Sequence, residues 1–280
     1  MVEYPLISAN EALSMSGEPD VRFVDATWYL PNVPSNAFEA YQEDHIPGSV
    51  YFDIDEVAEP GSDLPHVFPS LKTFSERVGN LGISESDRVI VYDRSKFVAS
   101  ARAWWMFHSF GHREVRVLNG GLNAWKRAGG LTDDQPTEIA RATYVGLPAN
   151  ESVILRDEVA ARLDDEFTAI LDARSHGRFS GSEPEPRPGL RGGHIPGSMN
   201  LYYGDVMDSE GYLKSANEVA DLLLSRSVSP QQTLVTTCGS GVTAAILLLA
   251  IFQFQQQNLR LYDGSWTEWA LHPDSPIQSG

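Results

Sequence analysis

Cysteine is almost absent from this chain, and Cys238 is its single thiol. No internal disulfide can form. A lone thiol in a chain of 280 residues fits a reducing compartment, so a cytoplasmic location is expected. Long apolar runs are missing too. The longest, from Ala244 to Phe252, is far too short to span a bilayer, and no membrane association is expected. The N-terminal stretch MVEYPLISANEALSMSGEPD has neither a basic n-region nor an apolar h-region, which argues against a signal peptide. It holds no arginine before Arg22, which argues against a mitochondrial transit peptide. Positive charge is scarce: 21 Lys and Arg against 38 Asp and Glu leave a net charge of −17. Such a surface repels nucleic-acid phosphates and anionic lipid, and no basic helix offsets it, so nucleic-acid binding is not expected. The same scarcity makes any local cluster of arginines informative, because it opposes the global field.

What is present is ordinary globular material, 42% hydrophobic and 21% charged, long enough for one large or two small domains. An internal repeat decides for two. HIPGSVYFD at His45 returns as HIPGSMNLY at His194, and FVDATWYL with Asp25 returns as ILDARSHG with Asp172. VIVYD, ending at Asp93, matches TLVTTC, ending at Cys238; LNGGLNAW with Trp125 matches LYDGSWTEW with Trp269. The order is kept and the offset drifts slowly, as tandem duplication with small indels requires. Each copy alternates short β-rich runs with helical patterns at Ser70–Leu81, Val98–Phe110, Ser215–Ser225 and Gly241–Phe252. The fold class expected is therefore α/β: two tandem domains, each a mostly parallel sheet with helices on both faces. The boundaries expected are 1–135 for the first copy, 136–150 for a polar, irregular linker and 151–280 for the second copy.

Duplication acts as an internal control. Features in both copies belong to the fold, so the HIPG turns and the paired Trp125 and Trp269 are expected to be structural. Features in one copy point to function, and Cys238 faces Asp93 in the other copy. In TTCGSGVTAAILLL the cysteine ends an apolar strand and precedes an apolar helix. That is the C-terminal edge of a parallel sheet, where ligands bind. Gly239 and Gly241 let the backbone curl with successive N–H groups pointing inward, and the following helix aims its positive end at the same spot. Both stabilise a thiolate, the nucleophilic form of cysteine, and would hold a persulfide anion equally well. A phosphatase loop would need an arginine at the sixth position after the cysteine, where this chain has Ala244. His108 and His112 are four apart, but Gly111 lies between them and no third ligand is evident, so no metal site is expected.

The loop CGSGVTA, together with DATWYLP, HIPGSVYFDID, ARAWWMFHSFGH, NGGLNAW and GRFSGSEPEPRPGLRGGHIPGS, resembles the mercaptopyruvate sulfurtransferases of the rhodanese superfamily. The resemblance covers nearly the whole chain. It implies two rhodanese domains, the first inactive, with the site where they meet; Asp93 in place of cysteine agrees with that. It also implies Asp55 and His66, from the first copy, as participants in a Cys–Ser–Asp relay with His66 nearby. Arg102 resembles an arginine in the same WWMF context but is assigned no catalytic role.

Between Asp172 and His194 lie Arg174, Arg178, Arg187 and Arg191, whereas the matching segment of the first copy, Asp25 to His45, has no arginine or lysine. In an acidic protein this is a local anion site, and the guanidinium fork suits a planar carboxylate. The alternative is a set of surface ion pairs with Glu183 and Glu185. For Arg178 and Arg187 the match to the family's GRF…EPEPR pattern favours substrate binding, with the loop residues Gly239, Gly241, Val242 and Thr243 lining the donor. Arg174→Ala is expected to cost much less than loss of either. Thiosulfate sulfurtransferases typically carry basic residues after the cysteine, suited to a sulfite leaving group; here Gly239 and Ser240 are neutral. The Ser240 hydroxyl suits a pyruvate enolate, which needs a proton. The function expected is transfer of sulfur from 3-mercaptopyruvate through a Cys238 persulfide to cyanide, a thiol or thioredoxin, with no organic cofactor or metal. The alternatives are a thiosulfate:cyanide sulfurtransferase and a non-catalytic persulfide carrier.

Overall fold

The structure, a computed structural model, describes residues 4–30, 33–149, 151–229 and 231–280. Pro31 of DATWYLP, Asn150 at the end of the expected linker and the first three residues lie outside the described residues. Strands β1 (Leu6–Ile7), β2 (Val21–Asp25), β3 (Val50–Tyr51), β4 (Arg88–Tyr92) and β5 (Val115–Leu118) form one sheet in the order β1-β5-β4-β2-β3. Strands β6 (Val153–Ile154), β7 (Thr168–Asp172), β8 (Met199–Asn200), β9 (Thr233–Thr237) and β10 (Leu259–Tyr262) form the other in the order β6-β10-β9-β7-β8. Every pairing is parallel, and one order maps strand by strand onto the other, as the sequence repeat requires.

The central strands read as unbroken apolar runs because both of their faces are covered. Phe23, Ile90 and Tyr92 join one core cluster with Trp125, while their alternating neighbours Val24, Val89 and Val91 are equally buried on the opposite face. Ile170, Val235 and Tyr262 do the same with Trp266 and Trp269 in the second sheet. The indole N–H groups of Trp125 and Trp269 donate to the carbonyls of Leu131 and Pro276, at 2.8 and 2.7 Å. His45 stacks on Tyr41 and His194 on Phe179, and each is buried. The HIPG histidines are thus parts of the turn in both copies.

Two of the helices start where a serine cap stands. Ser70 caps Leu71–Asn80, and Ser215 forms a capping box with Glu218 at the start of Ala216–Leu224. The helices after β4 and β9 begin later than periodicity alone predicts, at Ser100 and Ala244. The residues before them form loops: Lys96 and Phe97 have φ of 59° and 63°, and Gly241 has φ of 77°, none of them helical.

The chain divides into two compact units. One comprises Met1–Pro60, Phe68–Ala149 and Ser209–Tyr212; the other comprises Gly61–Val67, Asn150–Asp208 and Leu213–Gly280. Each therefore takes a short segment from the other half of the sequence. The polar stretch expected as a linker is irregular but docked on the first unit. The N–H groups of Ala142 and Leu147 donate to the carbonyls of Gly79 and Phe110, and Tyr144 stacks on His112.

Asp93 follows β4 as Cys238 follows β9; the registers Asp25↔Tyr92 and Asp172↔Thr237 make the two positions equivalent. The Asp93 carboxylate is buried and accepts from four backbone N–H groups: Ser95 and Phe97 at 3.1 Å, Ala99 at 3.4 Å and Ser100 at 3.0 Å. The loop of the first copy is an anion cradle already filled by the protein's own side chain. Asp93→Asn is expected to lower stability by about 1–3 kcal/mol, because an amide NH₂ then faces N–H donors that need an acceptor. A urea denaturation midpoint unmoved by the substitution would refute this account of the loop.

Candidate active site

The cysteine loop of the second unit is pinned from one side. The Cys238 carbonyl accepts from Trp266 N–H at 2.9 Å, and the Gly239 carbonyl accepts from Thr267 N–H at 3.0 Å and from its hydroxyl at 2.6 Å. Cys238 N–H donates to Ser265 Oγ at 3.2 Å, and that hydroxyl donates to the Tyr262 carbonyl at 2.8 Å. The helix Ser265–Leu271 thus fixes the direction in which the loop curls. Cys238 is buried, 2% exposed, and precedes the buried, wholly apolar helix Ala244–Phe252. Among the described residues, the N–H groups of Gly239, Ser240, Val242 and Thr243 make no hydrogen bond to the protein, and neither does the Ser240 hydroxyl. This loop stands in the second copy where the loop around Asp93 stands in the first.

The four arginines separate by what they touch. Arg174 is 1% exposed and bonded to the Asp172 carboxylate, with Nη2–Oδ2 at 2.6 Å; it also donates to Glu185 Oε1 at 2.8 Å and the Gly193 carbonyl at 2.9 Å. Its guanidinium lies 4.3 Å from the centre of the Trp266 ring. It is a structural keystone that holds Glu185 in place. Arg191 donates to the carbonyls of Trp269, Ala270, His272 and Ser275, at the end of the helix Ser265–Leu271.

Arg178 and Arg187 converge on the cysteine loop. A Cβ placed on Gly239 would stand 2.9 Å from Arg178 Nη2 and 3.9 Å from Arg187 Nη1. Glycine at 239 leaves room for both guanidinium groups beside the residue that follows Cys238. Arg178 sits on the short helix His176–Ser180, whose first turn is capped by Ser175. Its Nε and Nη2 grip Glu185 at 3.2 and 2.6 Å. The ion pair with Glu185, weighed above as the alternative to substrate binding, therefore exists alongside the approach to the loop.

His66 lies in Gly61–Val67, a segment numbered with the first copy that groups with the second compact unit. Its Nε2 lies 3.5 Å from Arg187 Nη2, it is buried, and its φ of 56° is unusual for a residue with a side chain. Asp55 lies in the first unit, on the opening turn of the helix Ile54–Val57, where it accepts from Trp28 Nε1 at 3.1 Å. The cap of that turn is Asp53, whose carboxylate accepts from Asp55 N–H at 2.9 Å. Arg102 is buried with its guanidinium 5.1 Å from the Phe68 ring centre. His112 has both ring nitrogens engaged, by the Tyr144 hydroxyl and the Asp87 carbonyl, and burial pushes the imidazole of His108 down to a pKa of about 4. Among the described residues no three His, Cys, Asp or Glu side chains are grouped to hold a metal, and no helix is long and apolar enough to cross a membrane.

The sequence reading names Glu185 only as a surface ion-pair partner and does not name Tyr203. Glu185 stood in the quoted EPEPR segment, but nothing in its spacing distinguishes a buried bridge from a surface pair. Tyr203 follows β8 in a 3-10 turn, near enough to Arg178 and Cys238 for their charges to act on its hydroxyl. Burial pushes that hydroxyl well above the usual tyrosine range, Tyr202 and Cys238 add to the rise, and Arg178 opposes it.

Comparison with known proteins now identifies the lineage. The model of the rhodanese-like domain matches twice, over residues 8–128 and 155–272. This chain belongs to the rhodanese family. It is 36% identical to the 3-mercaptopyruvate sulfurtransferase of Escherichia coli K12 over 262 residues, covering 93% of both chains. It is 37% identical to mouse thiosulfate sulfurtransferase over 267 residues, covering 94% of this chain and 90% of the other. The crystal structure of SseA, a 3-mercaptopyruvate sulfurtransferase of E. coli, superposes with a TM-score of 0.86 at 33% identity, over 94% of this chain and 99% of that one. The two parallel sheets are thus the tandem rhodanese fold, and the two rhodanese matches coincide with the two halves of the repeat.

Proposed function

We propose that this rhodanese-family chain moves sulfur from 3-mercaptopyruvate, through a persulfide on Cys238, to a thiophilic acceptor. The observation that carries the reading is the convergence of Arg178 and Arg187 on Gly239, beside the only thiol of the chain. Residues 1–135 are then an inactive copy, 136–150 a connection and 151–280 the catalytic copy, working in a reducing, cytoplasmic setting.

In the first half-reaction the Cys238 thiolate attacks the donor sulfur while the two guanidinium groups hold the carboxylate and carbonyl oxygens. The donor's C–S bond breaks, and its electron pair becomes the enolate of pyruvate. The donor's thiol proton, left on the outer sulfur, is the proton that the enolate requires. The hydroxyl of Ser240, a residue 7% exposed, makes no hydrogen bond among the described residues and is suited to pass it on. His66 orients Arg187, and Asp55 enters through the resemblance alone, as the acid end of the relay. Gly239, Gly241, Val242 and Thr243 form the cradle. In the second half-reaction cyanide, a small thiol or reduced thioredoxin attacks the outer sulfur, and the S–S electron pair returns to Cys238. No organic cofactor or metal enters.

The first copy supports the cradle's part. Its carboxylate oxygens stand two bonds beyond Cβ, where the outer sulfur of a cysteine persulfide would also stand, and they take four N–H bonds there.

Steady-state turnover with cyanide as acceptor tests the reading, with 3-mercaptopyruvate preferred over thiosulfate as the expected result. Preference for thiosulfate would replace it with the rhodanese alternative; no turnover with either, but persulfide on Cys238 after exposure to a loaded protein, would replace it with a carrier. Arg178→Ala and Arg187→Ala are each expected to lower kcat/KM for 3-mercaptopyruvate by about 2–4 kcal/mol, roughly 30- to 900-fold. A loss below about threefold at both positions would remove the clamp from the mechanism.

A further inference from the structure

We infer that Glu185 is a positioning residue that selects the sulfur donor, by holding Arg178 against the Cys238 loop and compensating its charge. The inference rests on the sulfurtransferase reading above. The Glu185 side chain is only 2% exposed, and a carboxylate so placed is stable only when paired and hydrogen-bonded. It has both: Arg174 reaches Oε1 at 2.8 Å, and Arg178 reaches Oε1 at 3.2 Å and Oε2 at 2.6 Å. Arg174 is in turn locked to Asp172 and to the Gly193 carbonyl. Asp172, Arg174, Glu185 and Arg178 thus form one chain of two carboxylates and two guanidinium groups, neutral as a set.

This arrangement separates two things that an arginine brings. Arg178 arrives at Gly239 with its hydrogen-bond direction fixed by a bidentate grip, but with its charge already matched. Directed donors favour a planar carboxylate and carbonyl whose leaving fragment ends as a protonated carbon acid. A net positive field would favour thiosulfate, whose leaving group is the sulfite dianion. Glu185 withholds that field while keeping the donors. Nothing of this kind exists between Asp25 and His45 in the first copy, which carries no arginine or lysine there.

Glu185→Gln tests the inference, because glutamine keeps the length and one acceptor oxygen but not the charge. The ratio of kcat/KM for thiosulfate to that for 3-mercaptopyruvate is expected to rise about tenfold, as one uncompensated charge near a sheltered site would produce. The rise should shrink as ionic strength increases. Discharge of preloaded persulfide by a neutral thiol should change less than twofold. Alkylation of Cys238 supplies a readout free of turnover: the rate ratio of anionic iodoacetate to neutral iodoacetamide should rise severalfold in the same variant. Glu185→Asp, which keeps the charge and shortens the reach, should weaken both donors and leave their ratio within about twofold of wild type. Equal losses for both donors in Glu185→Gln, with an unmoved alkylation ratio, would overturn the inference and leave Glu185 a packing residue. If wild type itself turns over neither donor, the sulfurtransferase reading falls and takes this inference with it. Wild-type turnover with unmoved ratios overturns this inference alone.

Discussion

Cys238→Ser is expected to reduce sulfur transfer to background with every donor. Serine oxygen cannot accept sulfur and return it, and the chain has no second thiol to substitute. The loop itself should survive. Its direction is set by the carbonyls of residues 238 and 239 on the N–H groups of Trp266 and Thr267, which the substitution leaves alone. A hydroxyl at a position 2% exposed costs about 1 kcal/mol if it lacks a partner, a fall of about 2–4 °C in Tm for a protein of this size. Intact-mass measurement after 3-mercaptopyruvate treatment should show one added sulfur on wild type, removable by cyanide, and none on the variant. Because the thiol is unique, the adduct needs no mapping. A sulfur adduct that persists in the variant would remove Cys238 from the mechanism.

Arg174→Ala is expected to cost about 3–5 kcal/mol of stability, the range for stripping one partner from buried charges. The Asp172 and Glu185 side chains are 1% and 2% exposed, and alanine would leave both beside a void where a guanidinium had been. The stacking on Trp266 is lost at the same stroke. Activity should fall as well, because Glu185 then has only Arg178 to answer and the grip that aims Arg178 loosens. Urea denaturation followed by far-UV circular dichroism measures the first effect, and kcat/KM at a temperature where the variant is fully folded measures the second. A stability change below about 1 kcal/mol would mean that the two carboxylates reach water when the arginine goes, and the keystone description would then be wrong.

Much of the architecture was legible because it is local and repeated. Short β-rich runs such as TAILD and TLVTT, spaced by helical patterns, specify parallel strands with both faces buried. Recurrence of HIPG, of the strand-end aspartates and of the tryptophans specifies that this happens twice. The singular thiol stood out for the same reason, since Asp93 occupies its place in the other copy. Helix starts were less legible. Gly241, Lys96 and Phe97 adopt positive φ, and an apolar period does not register that.

The polar contacts of the site were decided elsewhere. Residues 175–194 are mostly irregular, so spacing along them does not say which charge meets which. Four arginines of one chemical type became a keystone, a helix cap and two groups at the cysteine loop, according to what the sheet and the helix Ser265–Leu271 place beside them. Glu185 reads as surface charge in EPEPR, and only burial between Arg174 and Arg178 makes it a bridge. His66, numbered with the first half, packs with the second because the chain crosses over at 61–67. Composition, periodicity and repetition determined the two parallel sheets, their duplication and the loop on which the single thiol stands. Which guanidinium groups stand beside Gly239, and that Arg178 arrives there paired with Glu185, was decided by tertiary packing, because charge pairing depends on distances that loops set and sequence order does not.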